Sequence, residues 1–152
     1  MTLLAFTLAA MGVLAPQRDH TVLATAIAAR VDAELPLFAD DDDKRRTAAW
    51  LVAVAYRESS LRLDAVGDRG RSFCAFQIHA SSGGTKALLT DADACVGTAF
   101  AMLRTSARLC KSFPLAWYAH GGNAAAACAS PRAQRLSRDR MNLARRIAAV
   151  RP

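Results

Sequence analysis

The sequence predicts a mostly α-helical, α+β domain with one short strand or small β-hairpin. Three observations carry that expectation. Alanine is abundant while valine, isoleucine and the aromatics are sparse, and aromatics at 7% are too few for a large β-sandwich. Apolar residues recur at helical spacing through most of the chain. Only Ser72 to His79 (Ser-Phe-Cys-Ala-Phe-Gln-Ile-His) reads as extended, between a turn at Gly67 to Gly70 and a loop at Ser81-Ser82-Gly83-Gly84. A chain of 152 residues forms one domain, and a hydrophobic fraction of 53% suffices to fill its core.

The elements follow in order. Residues 2 to 15 carry no charge and match the apolar core of a signal peptide, being too short to span a bilayer comfortably. Val13-Leu14-Ala15 resembles a cleavage site. Against that, no Lys or Arg precedes the run and Pro16 follows it directly. Residues 1–19 are therefore read as either a signal peptide or an N-terminal helix, ahead of a single domain over 20–152. His20 to Glu34 is an amphipathic helix through Val22, Leu23, Ile27, Ala28 and Val31, stopped by Pro36. Asp40 to Asp43 place acids at the positive end of the next helix. That helix, Lys44 to Ser59, is apolar without a break from Ala48 to Tyr56, which means burial on all sides. Asp91 to Lys111 is a long helix with Ala94, Thr98, Met102, Leu103 and Leu109 on its inner side. Phe113 to Tyr118 is short and apolar, and Gly121-Gly122-Asn123 breaks it. Leu136 to Val150 is a basic helix with Leu136, Met141, Leu143, Ile147 and Val150 as its apolar side.

The net charge of +7 is concentrated at the C-terminus, where Pro131 to Pro152 holds seven arginines and one aspartate. A basic helix suits an anionic polymer or surface. Nucleic acid is not expected, because no aromatics interleave with the arginines. The four cysteines, Cys74, Cys95, Cys110 and Cys128, contain no CxxC spacing, so neither a zinc site nor any other metal is expected. Their even number fits two disulfides in an oxidising compartment. Three pairings are open; we favour the one joining near neighbours, Cys74–Cys95 with Cys110–Cys128.

Glu58 carries the chemistry. It falls in the last turn of the buried helix, where desolvation and the negative helix end both oppose ionisation. A carboxylic acid kept protonated can donate to a glycosidic oxygen. The plain alternative is a surface glutamate at a solvated helix end.

Glu58-Ser59-Ser60, then Gly67-Asp68-Arg69-Gly70, then Cys74-Ala75-Phe76-Gln77-Ile78, then Ala116-Trp117-Tyr118-Ala119-His120-Gly121-Gly122 stand in one order. This series resembles the lytic transglycosylase SLT family of the lysozyme-like superfamily, over about half the chain. The resemblance implies a lysozyme-like helical domain with the short strand beside a cleft. It also implies cleavage of the peptidoglycan bond between N-acetylmuramic acid and N-acetylglucosamine. Glu58 would protonate the glycosidic oxygen and then take the proton of the muramoyl C6 hydroxyl as that oxygen closes on C1, leaving a 1,6-anhydro sugar. Ser59, Gln77, Tyr118, His120 and Asp68 would bind substrate or support the acid, and no cofactor is needed. Two residues depart from the pattern: Cys74 stands for a glycine and His120 for an asparagine.

The alternatives are a hydrolase (a lysozyme- or endolysin-like muramidase), with Asp64 or Asp68 as a second carboxylate, and a non-catalytic lysozyme-like wall-binding module. Trp50 is expected in the core; Trp117 is a candidate sugar platform; His20 and His79 show no metal pattern. The expected partners are glycan strands and, through the C-terminal helix, an anionic envelope. We expect a monomer that is periplasmic, extracellular or virion-associated.

Overall fold

A helix apolar on every side has to be surrounded, and that requirement organises the molecule. The computed structural model describes residues 1–35, 37 and 43–149. Pro36, Asp40, Asp41, Asp42 and Val150 lie outside the described residues. Among the described residues, seven α-helices and a three-stranded antiparallel sheet make a mostly helical α+β fold. The central helix is α3 (Asp43–Ser59), in which every residue from Ala48 to Ala55 is buried. Around it pack α1 (Leu3–Leu14), α2 (Thr21–Ala33) and α7 (Pro131–Ala148).

Helix α1 starts at the Thr2 hydroxyl, which accepts from the Ala5 N–H at 3.2 Å. It sinks Phe6, Ala10 and Met11 against α2 and α3. Residues 3–14 are thus a packed helix of the core. Burying Phe6 and Met11 is worth about 2 kcal/mol each. His20, buried at the start of α2, donates through Nε2–H to the Ala15 carbonyl at 2.8 Å and so fixes the α1–α2 corner.

Between α3 and α4 (Ala92–Leu109) lies the β arm. Its strands are β1 (Val66–Gly67), β2 (Ser72–Phe73) and β3 (Ile78–His79), paired in sequence order with Val66 opposite Phe73 and Phe73 opposite Ile78. The expected single stretch over 72–79 is corrected to two short strands joined by a turn. The cause is backbone: Cys74 (φ 64°) and Gln77 (φ 49°) are both left-handed, which no continuous strand accommodates. Instead of plain loop, Ala80–Ser82 forms a single 3-10 turn capped by the His79 side chain.

Asp91 caps α4 through the Ala94 N–H at 2.9 Å. The inner face of α4 is Cys95, Val96, Ala99, Phe100 and Leu103; this corrects the expected set, because Leu109 is exposed and Ala94, Thr98 and Met102 are only half-buried. After α5 (Ala116–His120) comes a short helix the sequence did not announce, α6 (Ala124–Ala129), capped by Asn123. Helix α7 begins five residues earlier than expected: Ser130 caps it and Pro131 occupies its first turn. Its buried face is Ala133, Ser137, Arg140, Leu143, Ala144 and Ile147, while Leu136 and Met141 are half-buried.

Both disulfides take the near-neighbour pairing. Cys74–Cys95 fastens the β2–β3 turn to α4, and Cys110–Cys128 fastens the end of α4 to α6. Each closes a loop of about twenty residues and contributes roughly 3 kcal/mol in the chain-entropy picture. Among the described residues no helix is long and apolar enough to cross a membrane.

Candidate active site

The last turn of α3, the β arm, α5 and α7 enclose a groove of about 710 Å³. Each wall is held by its own device. Ser59, at the end of α3, does not line the groove. Its hydroxyl donates toward the carbonyls of Ala55 (3.1 Å) and Ala75 (2.8 Å) and accepts from the Arg62 N–H (3.0 Å), so it ties the helix end to the β2–β3 turn. The expectation that Ser59 binds substrate is corrected on that ground. Gln77 does line the groove, but its amide nitrogen donates to the carbonyls of Ala65 (3.2 Å) and Cys74 (3.0 Å). Its amide oxygen presses on Gly67, where any Cβ would collide with it. A side chain at position 67 would push the Gln77 amide off its place against the Ala65 and Cys74 carbonyls. All six non-glycine residues with left-handed φ among the described residues (Ser60, Leu61, Asp68, Arg69, Cys74 and Gln77) fall in this arm. Such strain gathers where a fold shapes a site. Cys74 takes a left-handed φ that suits a glycine, and it does so while making the bridge to Cys95.

Tyr118 reaches across from α5. Its hydroxyl donates to the Phe76 carbonyl at 2.6 Å, and its own N–H is held by the Ser106 hydroxyl at 3.0 Å. Burial of the phenol, reinforced by the neighbouring Glu58 carboxylate and opposed by Arg140, holds Tyr118 protonated well above the usual range. Trp117 and His120 line the same wall; the Trp117 indole N–H donates to the Gly122 carbonyl at 3.0 Å. Asp68 lines the opposite side and accepts from the Ser72 hydroxyl. His79 also faces the groove, hydrogen-bonded to the Ser81 hydroxyl at 2.8 Å. Trp50 lies in the core away from the groove, at a smaller cavity against α7. Asp64 sits outside the groove, near Arg62.

The structure thus brings Glu58, Asp68, Gln77, Tyr118 and His120 around one groove. It also supplies a partner that sequence reasoning missed. Arg140 comes up from α7, only 7% exposed, and places Nη2 2.5 Å from Glu58 Oε1, while Glu58 keeps 20% of its side chain exposed. Arg140 Nη1 donates to the Leu136 carbonyl at 3.3 Å, and Nε is buried with no partner. The sequence reading pictured a carboxyl opposed only by burial and the helix end. Instead its carboxylate meets a guanidinium, which corrects that picture. One residue away, Arg57 grips Asp139 with two contacts of 2.9 and 3.0 Å. The missed signal was periodic: Arg140 falls four residues from Leu136 and Ala144, on the apolar stripe of α7.

Arg132, Leu136 and Arg140, spaced by four, form the groove-facing stripe of α7. In the sequence alone, Arg132 is one charge of a basic tail. No group of His, Cys, Asp and Glu fit to hold a metal ion occurs among the described residues. Comparison with known protein families, with curated proteins and with solved structures finds no match to this chain.

Proposed function

We propose that this protein is a peptidoglycan-cleaving lytic transglycosylase acting from the groove described above. The observation that carries the reading is the position of Glu58: a partly exposed carboxylate at the end of a buried helix, opening into a groove shared with Gln77, Tyr118 and Trp117. A groove of this size takes several sugar rings, and the Trp117 indole offers a face for one of them.

Cleavage needs Glu58 protonated at the start. Its proton passes to the glycosidic oxygen as the bond to C1 of N-acetylmuramic acid breaks. The C6 hydroxyl oxygen then bonds to C1, and its proton returns to Glu58. One carboxyl acts twice and no water is consumed. Ser59 ties the end of α3 to the β2–β3 turn at Ala75, and Tyr118 holds the next carbonyl of that turn, Phe76, so both position the backbone beside Glu58. Hydrolysis is the chemical alternative, and Asp68 is the acid in the groove that it would use. The two disulfides favour an oxidising compartment, consistent with work at the cell envelope.

The Glu58–Arg140 pair favours a second reading, a wall-binding module without turnover, because a carboxylate in an ion pair has no proton to give. Mass spectrometry of muropeptides released from purified sacculi separates the readings. Anhydro ends, lost in Glu58→Gln, support transglycosylation. Reducing ends mean hydrolysis. Adsorption without any soluble product means binding alone.

A further inference from the structure

Arg140 holds Glu58 under conditions that suit neither partner. The guanidinium is almost fully buried, one of its nitrogens has no acceptor, and its carboxylate partner is the less buried of the two. A buried cation with an unfilled donor gains from a better-placed anion. Two turns toward the start of α7, on the same groove-facing stripe, Arg132 is exposed and has no acidic partner among the described residues. The other charged or titratable groups along the groove are Asp68 and His79 from the β arm and Tyr118 and His120 from α5; Asp68 is engaged by Ser72. The α7 stripe is therefore the cationic wall of the groove, and only part of its charge is matched from within.

Resting on the peptidoglycan reading, we propose that the Arg132–Arg140 stripe is a subsite for a carboxylate carried by the glycan strand, and that this carboxylate replaces Glu58 as the partner of Arg140. Arg132 receives the incoming anion. Arg140 exchanges one carboxylate for another, so no bare charge is left behind. Glu58, released, takes a proton from solvent and becomes the acid that the first chemical step requires. Only an O–H bond forms in that exchange. A neutral sugar polymer of the same backbone fills the groove without freeing the acid. Two sources on the strand carry the needed group: the acids of the peptide stem where a stem is attached, and the lactyl carboxylate of a muramic acid where the stem is absent, since a stem takes that carboxyl up in an amide.

Three preparations of the same strands test this: stem-bearing, stem-free with the lactyl carboxylates bare, and stem-free with those carboxylates amidated. In wild-type protein, kcat/KM is expected to fall about tenfold or more on amidation. Arg132→Ala is expected to raise KM for carboxylated strands about fivefold with kcat kept. Glu58→Gln leaves Arg140 without its internal competitor, so it should bind carboxylated strands about fivefold more tightly than wild type and amidated strands no better. Stem-bearing against stem-free strands assigns the source. Equal turnover and equal binding of all three preparations, stem-bearing, bare and amidated, overturns the subsite. If no strand is cleaved at all, the lytic reading fails, while the binding comparison still decides the subsite.

Discussion

Removing either member of the Glu58–Arg140 pair strands a charge that folding has drawn out of water. Arg140→Met leaves a half-buried carboxylate and Glu58→Gln leaves a buried guanidinium, so each single change is expected to cost about 3 kcal/mol. The double variant Glu58→Gln/Arg140→Met should cost less than the sum, since no unpaired ion remains. A double-mutant cycle by urea unfolding reads this, and additive costs would show that the pair is not coupled. Tyr118 makes a second prediction at this scale. Its phenol stays protonated in the folded chain at a pH where the unfolded chain has begun to release the proton. The folded state then holds more protons, so this contribution is intact below about pH 10 and declines as pH rises beyond it. Tyr118→Phe should flatten the loss of stability between about pH 9 and 11, beyond a uniform cost of about 1 kcal/mol for the bond to Phe76. Identical slopes for the two proteins would remove the effect.

The elements differ in how plainly their residues announce them. The central helix was legible because an unbroken apolar run has one physical outcome, burial on all sides. Helices α2 and α4 were legible from spacing, although Val22, expected on the apolar side of α2, is exposed and the inner face of α4 was displaced by about one residue. The β arm was not legible as built. Its geometry depends on left-handed backbone at Cys74, Gln77, Asp68 and Arg69, residue types that do not signal it as glycine does. This gives a direct test. In a background without the bridge, Cys74→Gly/Cys95→Ala should be more stable than Cys74→Ala/Cys95→Ala by about 1 kcal/mol, because only glycine takes φ 64° freely. Equal melting temperatures would place the strain elsewhere. Helix α1 offers the other test. Phe6 is 1% exposed among α1, α2 and α3, so Phe6→Ala should cost about 3–5 kcal/mol by thermal unfolding. A cost below about 1 kcal/mol would mean that α1 does not belong to the cooperative core.

At the scale of the whole molecule, charge and groove meet on one helix. Arg132, Arg135, Arg138, Arg145 and Arg146 are all exposed on α7, and the first of them opens into the groove. On the proposed peptidoglycan reading, adsorption to purified wall should weaken steeply from about 50 to 200 mM salt, as expected of exposed charges with screening lengths near 10 Å. Replacing Arg135, Arg138, Arg145 and Arg146 by glutamine should abolish most of that salt dependence at little cost in unfolding temperature, Arg138 giving up its place over the Phe113 ring, 5.3 Å away. Salt-independent adsorption would assign wall contact to other surfaces. The groove itself was legible in outline, since the order of the four motifs brings Glu58, Gln77 and Tyr118 together. Its cationic wall was not, because a count of tail arginines treats every one as solvated and only the periodicity of α7 marks Arg140 as an inward residue.

Arg57 and Glu58 on α3 meet Asp139 and Arg140 on α7 with their signs reversed. The two helices thus carry a keyed join. Any arrangement that offered Arg57 to Arg140 and Glu58 to Asp139 would set like against like at both teeth, so the last helix to be synthesised among those described has one seat on the helix that precedes the groove. A chain that seats it wrongly would lack one wall of the cleft, and correct closure of the fold and assembly of the site become the same event.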